Sequence, residues 1–329
     1  MKVLVTGATG FIGAHTVKAL VDAGHEVRAT VRSEGSRERG EKALEALGAP
    51  NVELVIATLD DDAGWAEAVA GIEVVHHVAS PVPVEQPKDK NEVIEPARDG
   101  ALRVLRAARE AGVRRVVLTS SVAAIAGQPT LAKSHFGADD WTDLSVPGVS
   151  PYVESKTLSE RAARDFVKEG GPELVTVCPG LVMGPLVGGR VNASNEFVSR
   201  FLNGAMPFIP RLSFSCVDVR DVAALHVLAM DAEDGARLVA TNGQLWLEDI
   251  AATLRQRLDP AQTAKVPTRR APNFVVRLLA LFDGGVRTIV PMLGRSRTLD
   301  NGPSLALGWT PRDPRDSVED TARSMLAAS

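Results

Sequence analysis

The chain has a single tyrosine and two cysteines in 329 residues. Two thiols, Cys178 and Cys216, cannot make a disulfide framework. Both lie in apolar surroundings, so buried reduced thiols in a reducing compartment are expected. Aromatic residues make up only 4% and are not interleaved with basic runs, and the formal net charge is −4. That combination speaks against a nucleic-acid partner. No stretch reaches the roughly 18 apolar residues that a membrane span needs. The most apolar segment, 274–293, is interrupted by Arg277, Asp283 and Arg287. A strand-like run begins almost at Met1, so no signal-type leader is expected. The expectation is a cytoplasmic protein with a small-molecule partner and neither membrane nor nucleic acid. No repeat, low-complexity tract or metal-ligand spacing is visible, so no metal is assigned.

What is present is an ordinary globular balance, 45% apolar and 24% charged. A chain of this length buries a large core and is expected to form one large domain with an appended lobe, or two domains. Apolar runs at Lys2–Thr6, Glu26–Val31, 52–56, 73–77, Arg115–Thr119 and 174–178 read as strands. Amphipathic stretches at 11–23, 36–47, 65–70, 93–111 and Pro151–Lys168 read as helices. Near-continuous apolar strands alternating with helices imply an α/β fold, a doubly wound parallel sheet of Rossmann type. The alternation loosens over 125–150, and it stops after Pro179. The predicted division is a nucleotide-binding domain over 1–178, with 216–240 returning to it. A smaller substrate-binding lobe is formed by 179–215 and 241–329.

The first strand runs straight into Gly7-Ala8-Thr9-Gly10-Phe11-Ile12-Gly13. Gly7 allows a tight turn, Gly10 a close approach of backbone to a pyrophosphate, and Gly13 close helix–strand packing. The following helix N-terminus offers free N–H groups and a positive dipole end. Where the second strand ends, an acid would bind the ribose 2′-hydroxyl of NAD. Here Val31 takes that place and Arg32 follows, with Arg37, Arg39 and Lys42 close behind. A guanidinium suits a 2′-phosphate, so NADP(H) is expected.

Tyr152 and Lys156 are four residues apart within the predicted helix, so they share a face. A phenol titrates near pH 10, and a neighbouring ammonium would favour its ionised form. Such a pair can exchange a proton with a carbonyl oxygen, although a surface tyrosine beside a solvated lysine has the same spacing. The strand 115–119 ends in Ser120-Ser121, at the carboxyl ends of the strands where nucleotide sites collect. A hydroxyl there can stabilise charge developing on a substrate oxygen.

Together TGATGFIG, HVASP at 77–81, TSS at 119–121, YVESK and PGLVMGP at 179–185 resemble the extended short-chain dehydrogenases/reductases. RATVRS, DDWTD at 139–143 and VDVRDVAALHVLAM at 217–230 narrow the likeness. They are similar to the dihydroflavonol 4-reductase, cinnamoyl-CoA reductase and aldehyde/ketone reductase group. The resemblance implies Ser121, Tyr152 and Lys156 as the catalytic triad. It implies cofactor contacts from Gly7, Thr9, Gly10, Phe11, Ile12, Gly13, Arg32 and Lys42. Further along the chain it implies Thr58, Leu59, Val78, Ala79, Ser80, Thr119, Pro179, Val182 and Ser194. Tyr152 and Lys156 are also expected at the nicotinamide ribose. One departure is Thr58, where the group carries an aspartate facing adenine.

The implied activity is NADPH-dependent reduction of an aldehyde or ketone, with Tyr152 as proton donor and a monomer or homodimer as the working unit. A nucleotide-sugar epimerase or dehydratase, or a 3β-hydroxysteroid dehydrogenase, uses the same triad. A non-enzymatic nucleotide sensor is a third alternative. A mostly apolar pocket is expected from Val82, Val84, Phe136, Leu181, Phe197 and Phe201.

Overall fold

Runs rich in valine, leucine and isoleucine become strands because branched side chains pack well on a pleat buried on both faces. The computed structural model describes residues 1–81, 89–129, 133–282 and 284–328. The first half alternates β1 (Lys2–Thr6), α1 (Phe11–Asp22), β2 (Glu26–Val31), α2 (Glu34–Ala46), β3 (Glu53–Ile56), α3 (Trp65–Val69), β4 (Val74–His77), α4 (Asn91–Glu110) and β5 (Arg115–Thr119). Next come α5 (Ala123–Ala126), β6 (His135–Phe136), α6 (Pro151–Lys168), β7 (Glu173–Pro179), β8 (Leu181–Met183) and α7 (Glu196–Asn203). They are followed by β9 (Ser213–Asp218), α8 (Val219–Leu228), β10 (Arg237–Ala240), β11 (Gln244–Trp246) and α9 (Leu247–Arg257). The chain ends with α10 (Asn273–Leu279), α11 (Gly284–Ile289), β12 (Thr298–Leu299), α12 (Gly302–Ala306) and α13 (Pro314–Ala327).

Seven strands form one parallel sheet in the order β10-β7-β5-β4-β1-β2-β3. This is the doubly wound α/β architecture that the alternation of strands and helices predicts. The strand order reverses around β1, whose neighbours are β2 and β4. The loops leaving β1 and β4 therefore part and leave a crevice, where such sheets bind ligands. One apolar layer includes Val3, Val5, Val17 and Leu20 with Val222 and Leu225 of α8. A second includes Leu4, Trp65, Val104, Leu105 and Leu174.

Two arginines inside strands cap helices that pack on the sheet. Arg28 donates from one guanidinium nitrogen to the carbonyls of Glu67, Ala68 and Ala70, at the end of α3. Arg115 does the same for Ala229 and Met230, just beyond α8. Cations suit a helix C-terminus because its last carbonyls lack partners and carry partial negative charge.

A separate cluster containing Phe201, Leu212, Leu245, Ile250, Leu254 and Val318 forms the core of the lobe. It is organised around the small sheet β11-β9-β8. Segment 216–240 leaves that small sheet, forms α8 against α1, and adds β10 to the edge of the large one. Among the described residues, no helix is long and apolar enough to cross a membrane.

Candidate active site

The glycine loop is shaped by what a side chain would meet. Gly7 has φ +78°, a left-handed conformation that glycine adopts without strain. A Cβ on Gly13 would lie 2.2 Å from the Gly7 carbonyl oxygen, so only glycine fits there. Gly10 occupies the N-cap of α1 and makes no side-chain cap, so the first amides of the helix stay available. This cradle fits a pyrophosphate. The loop after β4 seals its underside: Ala79 would be 3.1 Å from a Cβ on Gly7.

Thr6 holds that lower loop, a role that no motif in the chain signals. Its hydroxyl accepts from the amides of Val78 at 3.0 Å and Ala79 at 2.9 Å. It also lies 2.9 Å from His77 Nδ1. Both acceptor positions of the hydroxyl are used by amides, so its single proton goes to Nδ1. His77 is then the Nε2–H tautomer. Burial, and then the Lys156 charge, drive its pKa down to about 3, so it stays neutral.

At the 2′ end, Arg32 is exposed beyond β2 and makes no hydrogen bond or ion pair among the described residues. Arg37 is occupied instead by Glu34 and the Leu54 carbonyl. Arg39 is turned to the Ser36 hydroxyl at 2.9 Å. Lys42 is exposed on α2. The adenine side is altered from the usual pattern. The Thr58 carbonyl accepts the Trp65 indole N–H at 2.8 Å, and the Leu59 carbonyl accepts from Arg103. Adenine contact by the Leu59 carbonyl would therefore compete with Arg103, leaving the Leu59 amide as the freer group.

Of the three candidate catalytic side chains, Ser121 and Tyr152 face each other between β5 and α6, and Lys156 lies one turn along the helix. Ser121 follows β5, and its Oγ accepts the Ala123 amide at 3.1 Å. That contact leaves the Ser121 proton free to be donated. Ser150 caps α6 by accepting the Val153 amide at 3.3 Å, and Pro151 fills the first helical position. Tyr152 consequently sits in the first turn, with Lys156 one turn further on.

Burial raises the Tyr152 phenol above its usual value, and the facing Ser121 side chain partly offsets this. The spacing predicts that Lys156 lowers that pKa; burial raises it instead, and Ser121 rather than Lys156 is the group that pulls it down. Burial lowers the Lys156 amine to about 8, while Cys178 and Glu160 act in the opposite direction.

Downstream, Pro179 and Val182 are buried at the β7–β8 junction. The Ser194 amide donates to Asn192 Oδ1 at 2.9 Å within the turn before α7. The pocket expectations divide. Phe201 is 0% exposed and Phe136 5%, and both lie in hydrophobic core clusters. Phe201 is held in the lobe core, and Phe136 packs with Ile125, Cys178, Val239 and Leu299, so neither ring is presented at an open surface. Phe197 is half-buried with its ring 5.3 Å from that of Phe214, and Leu181 is half-buried on β8. Val82 and Val84 lie outside the described residues.

The pattern of the NAD dependent epimerase/dehydratase family matches residues 3–240. A cinnamoyl-CoA reductase of Medicago truncatula is 37% identical over 235 residues, 70% of this chain and 72% of the relative. A ketoreductase of Aspergillus niger is 31% identical, covering 99% of this chain and 97% of the relative. The crystal structure of yeast methylglyoxal/isovaleraldehyde reductase complexed with NADPH superposes with a TM-score of 0.81 at 25% identity, covering 99% of this chain and 98% of that one.

Proposed function

The chain belongs to the NAD dependent epimerase/dehydratase family, and from that premise we propose that it is an NADP-dependent oxidoreductase that reduces aldehydes or ketones to alcohols. The observation that carries the reading is the facing of Ser121 and Tyr152 one helical turn from a buried lysine. The reductases that resemble it support the same chemistry.

Gly7, Gly10, Phe11, Ile12 and Gly13 would hold the pyrophosphate, and Arg32 the 2′-phosphate. The NADPH they hold would supply the hydride for the carbonyl carbon. The Ser121 hydroxyl, its oxygen already accepting from Ala123, donates to the substrate oxygen and stabilises its growing negative charge. Tyr152 gives that oxygen its proton. A phenol kept neutral by burial is in the correct state to do so. The Lys156 charge offsets the phenolate left behind. Val31-Arg32 in place of an acid argues against the NAD-holding sugar epimerases of the family.

A panel of aromatic and aliphatic carbonyls tests the reading, followed by loss of nicotinamide absorbance. Turnover of at least one class is expected, faster with NADPH than with NADH. Failure to consume either cofactor across the panel would contradict it.

A further inference from the structure

Directly behind the triad lies a buried ionic cluster that the reaction as described does not use. Glu160 is 0% exposed. It follows Lys156 by four residues and Tyr152 by eight, so all three share one face of α6. Its Oε2 accepts from Ser120 Oγ at 2.5 Å and from Arg237 Nη2 at 3.1 Å. Its Oε1 accepts from Arg237 Nε at 2.7 Å, Arg164 Nε at 3.1 Å and Thr176 Oγ1 at 3.3 Å. Arg237 is fixed in turn by the carbonyls of Ala138 and Asp140, with its guanidinium 4.0 Å from the Trp141 ring centre.

A small cavity of about 10 Å³ joins this cluster to the site. Its walls include His77, Thr119, Ser120, Lys156 and Glu160. It has room for about one water.

A buried carboxylate held by two guanidiniums is costly to desolvate and is weak evidence for stability alone. What it does here is geometric and electrostatic. Ser120 is the chain neighbour of Ser121, so its bond to Glu160 ties the end of β5 to the helix that carries the other two catalytic groups. The same carboxylate lies one turn from the amine that must stay charged.

We propose that Glu160 is a positioning residue for the reaction: through Ser120 it fixes Ser121 against Tyr152 and Lys156, and through space it keeps the Lys156 amine protonated. The proposal rests on the reading of the triad given above. The groups facing Lys156 are His77 on β4, Thr119 and Ser120 at β5, Cys178 on β7, and Glu160 on α6. His77 is neutral down to a pKa of about 3, and the Cys178 thiol is pushed up to about 12. Glu160 is the carboxylate among those facing the amine, and Arg237 and Arg164 bind it.

The test uses the full chain as Glu160→Gln, Ser120→Ala and Tyr152→Phe. The readouts are kcat, KM for NADPH, the pH profile of kcat, and the thermal midpoint. Ser120→Ala leaves the ion pairs intact; kcat is expected to fall roughly ten-fold, since small misplacements near reacting groups have effects of that order or larger. Its KM for NADPH and the position of its alkaline limb stay as in wild type. Glu160→Gln is expected to move the alkaline limb to lower pH by at least about half a unit, because an opposite charge that favoured the ammonium is gone. A merely structural role would lower the thermal midpoint without moving that limb.

Wild-type kcat in Ser120→Ala together with an unmoved limb in Glu160→Gln would overturn the proposal. Should Glu160→Gln not fold, wild-type kcat in Ser120→Ala overturns it alone. Loss of turnover in Tyr152→Phe beside fully active Ser120→Ala and Glu160→Gln overturns only this proposal. Undiminished turnover in Tyr152→Phe overturns the triad reading and this proposal with it.

Discussion

Individual residues in the site are moved from their ordinary behaviour mainly by burial, and charges act as corrections. The Tyr152 phenol goes up and the Lys156 amine comes down, each with desolvation as the first cause. In this state the phenol is held as an acid, the form a reductase needs. Arg32 presents the opposite case: an exposed cation with no partner among the described residues, beside others already engaged. Arg32→Ala is therefore expected to weaken NADPH binding about ten- to hundred-fold, the range for losing one or two charge-assisted bonds. NADH binding should barely change. Fluorescence titration of both cofactors checks this, and an equal loss for both would remove the 2′-phosphate role.

Elements show where sequence is legible and where it is not. Strands β1, β2 and β5 run as the apolar runs predict, because each packs apolar side chains on both faces of the sheet, and these outweigh the polar residues within them. Helix α2 starts at Glu34, two residues before the predicted start at 36, because Ser33 caps it by accepting the Ser36 amide at 3.3 Å. The two- and three-residue strands β6, β8, β11 and β12 are too short to show any period, and partners distant in the chain create them. The glycine loop and the Tyr152–Lys156 pair were legible because both are local patterns. Thr6, Glu160 and Arg237 were not, since their partners lie 71 to 99 residues away for Thr6 and Arg237, and up to 77 for Glu160. The one local cue for Glu160 was its place on the same face as the catalytic pair. The substrate pocket was the least legible part, since an aromatic ring suits a core as well as a pocket: Phe201 fills the lobe core.

The whole molecule stores neutral histidines in its interior. His76, His77 and His226 are all buried, and desolvation lowers each, to about 3 for His77 and His226. Unfolded imidazoles take up protons near pH 6.5, whereas the folded ones do not until far lower pH. Stability from this source is full above about pH 6.5 and is lost as the pH falls toward 3. At pH 5 His77 and His226 each cost about 2 kcal/mol of stability. The denaturant midpoint should drop clearly between pH 7.5 and pH 5, and an unchanged midpoint would contradict the burial account. The same assembly of sheet, glycine loop and α6 brings one phenol to a nucleotide crevice, and that convergence is the central claim. Its most direct test is Tyr152→Phe, assayed for turnover and NADPH affinity on the same preparation. The account predicts that turnover falls by at least about two orders of magnitude, the contribution of a positioned general acid, while the NADPH Kd stays within about two-fold. Turnover within a few-fold of wild type would contradict it.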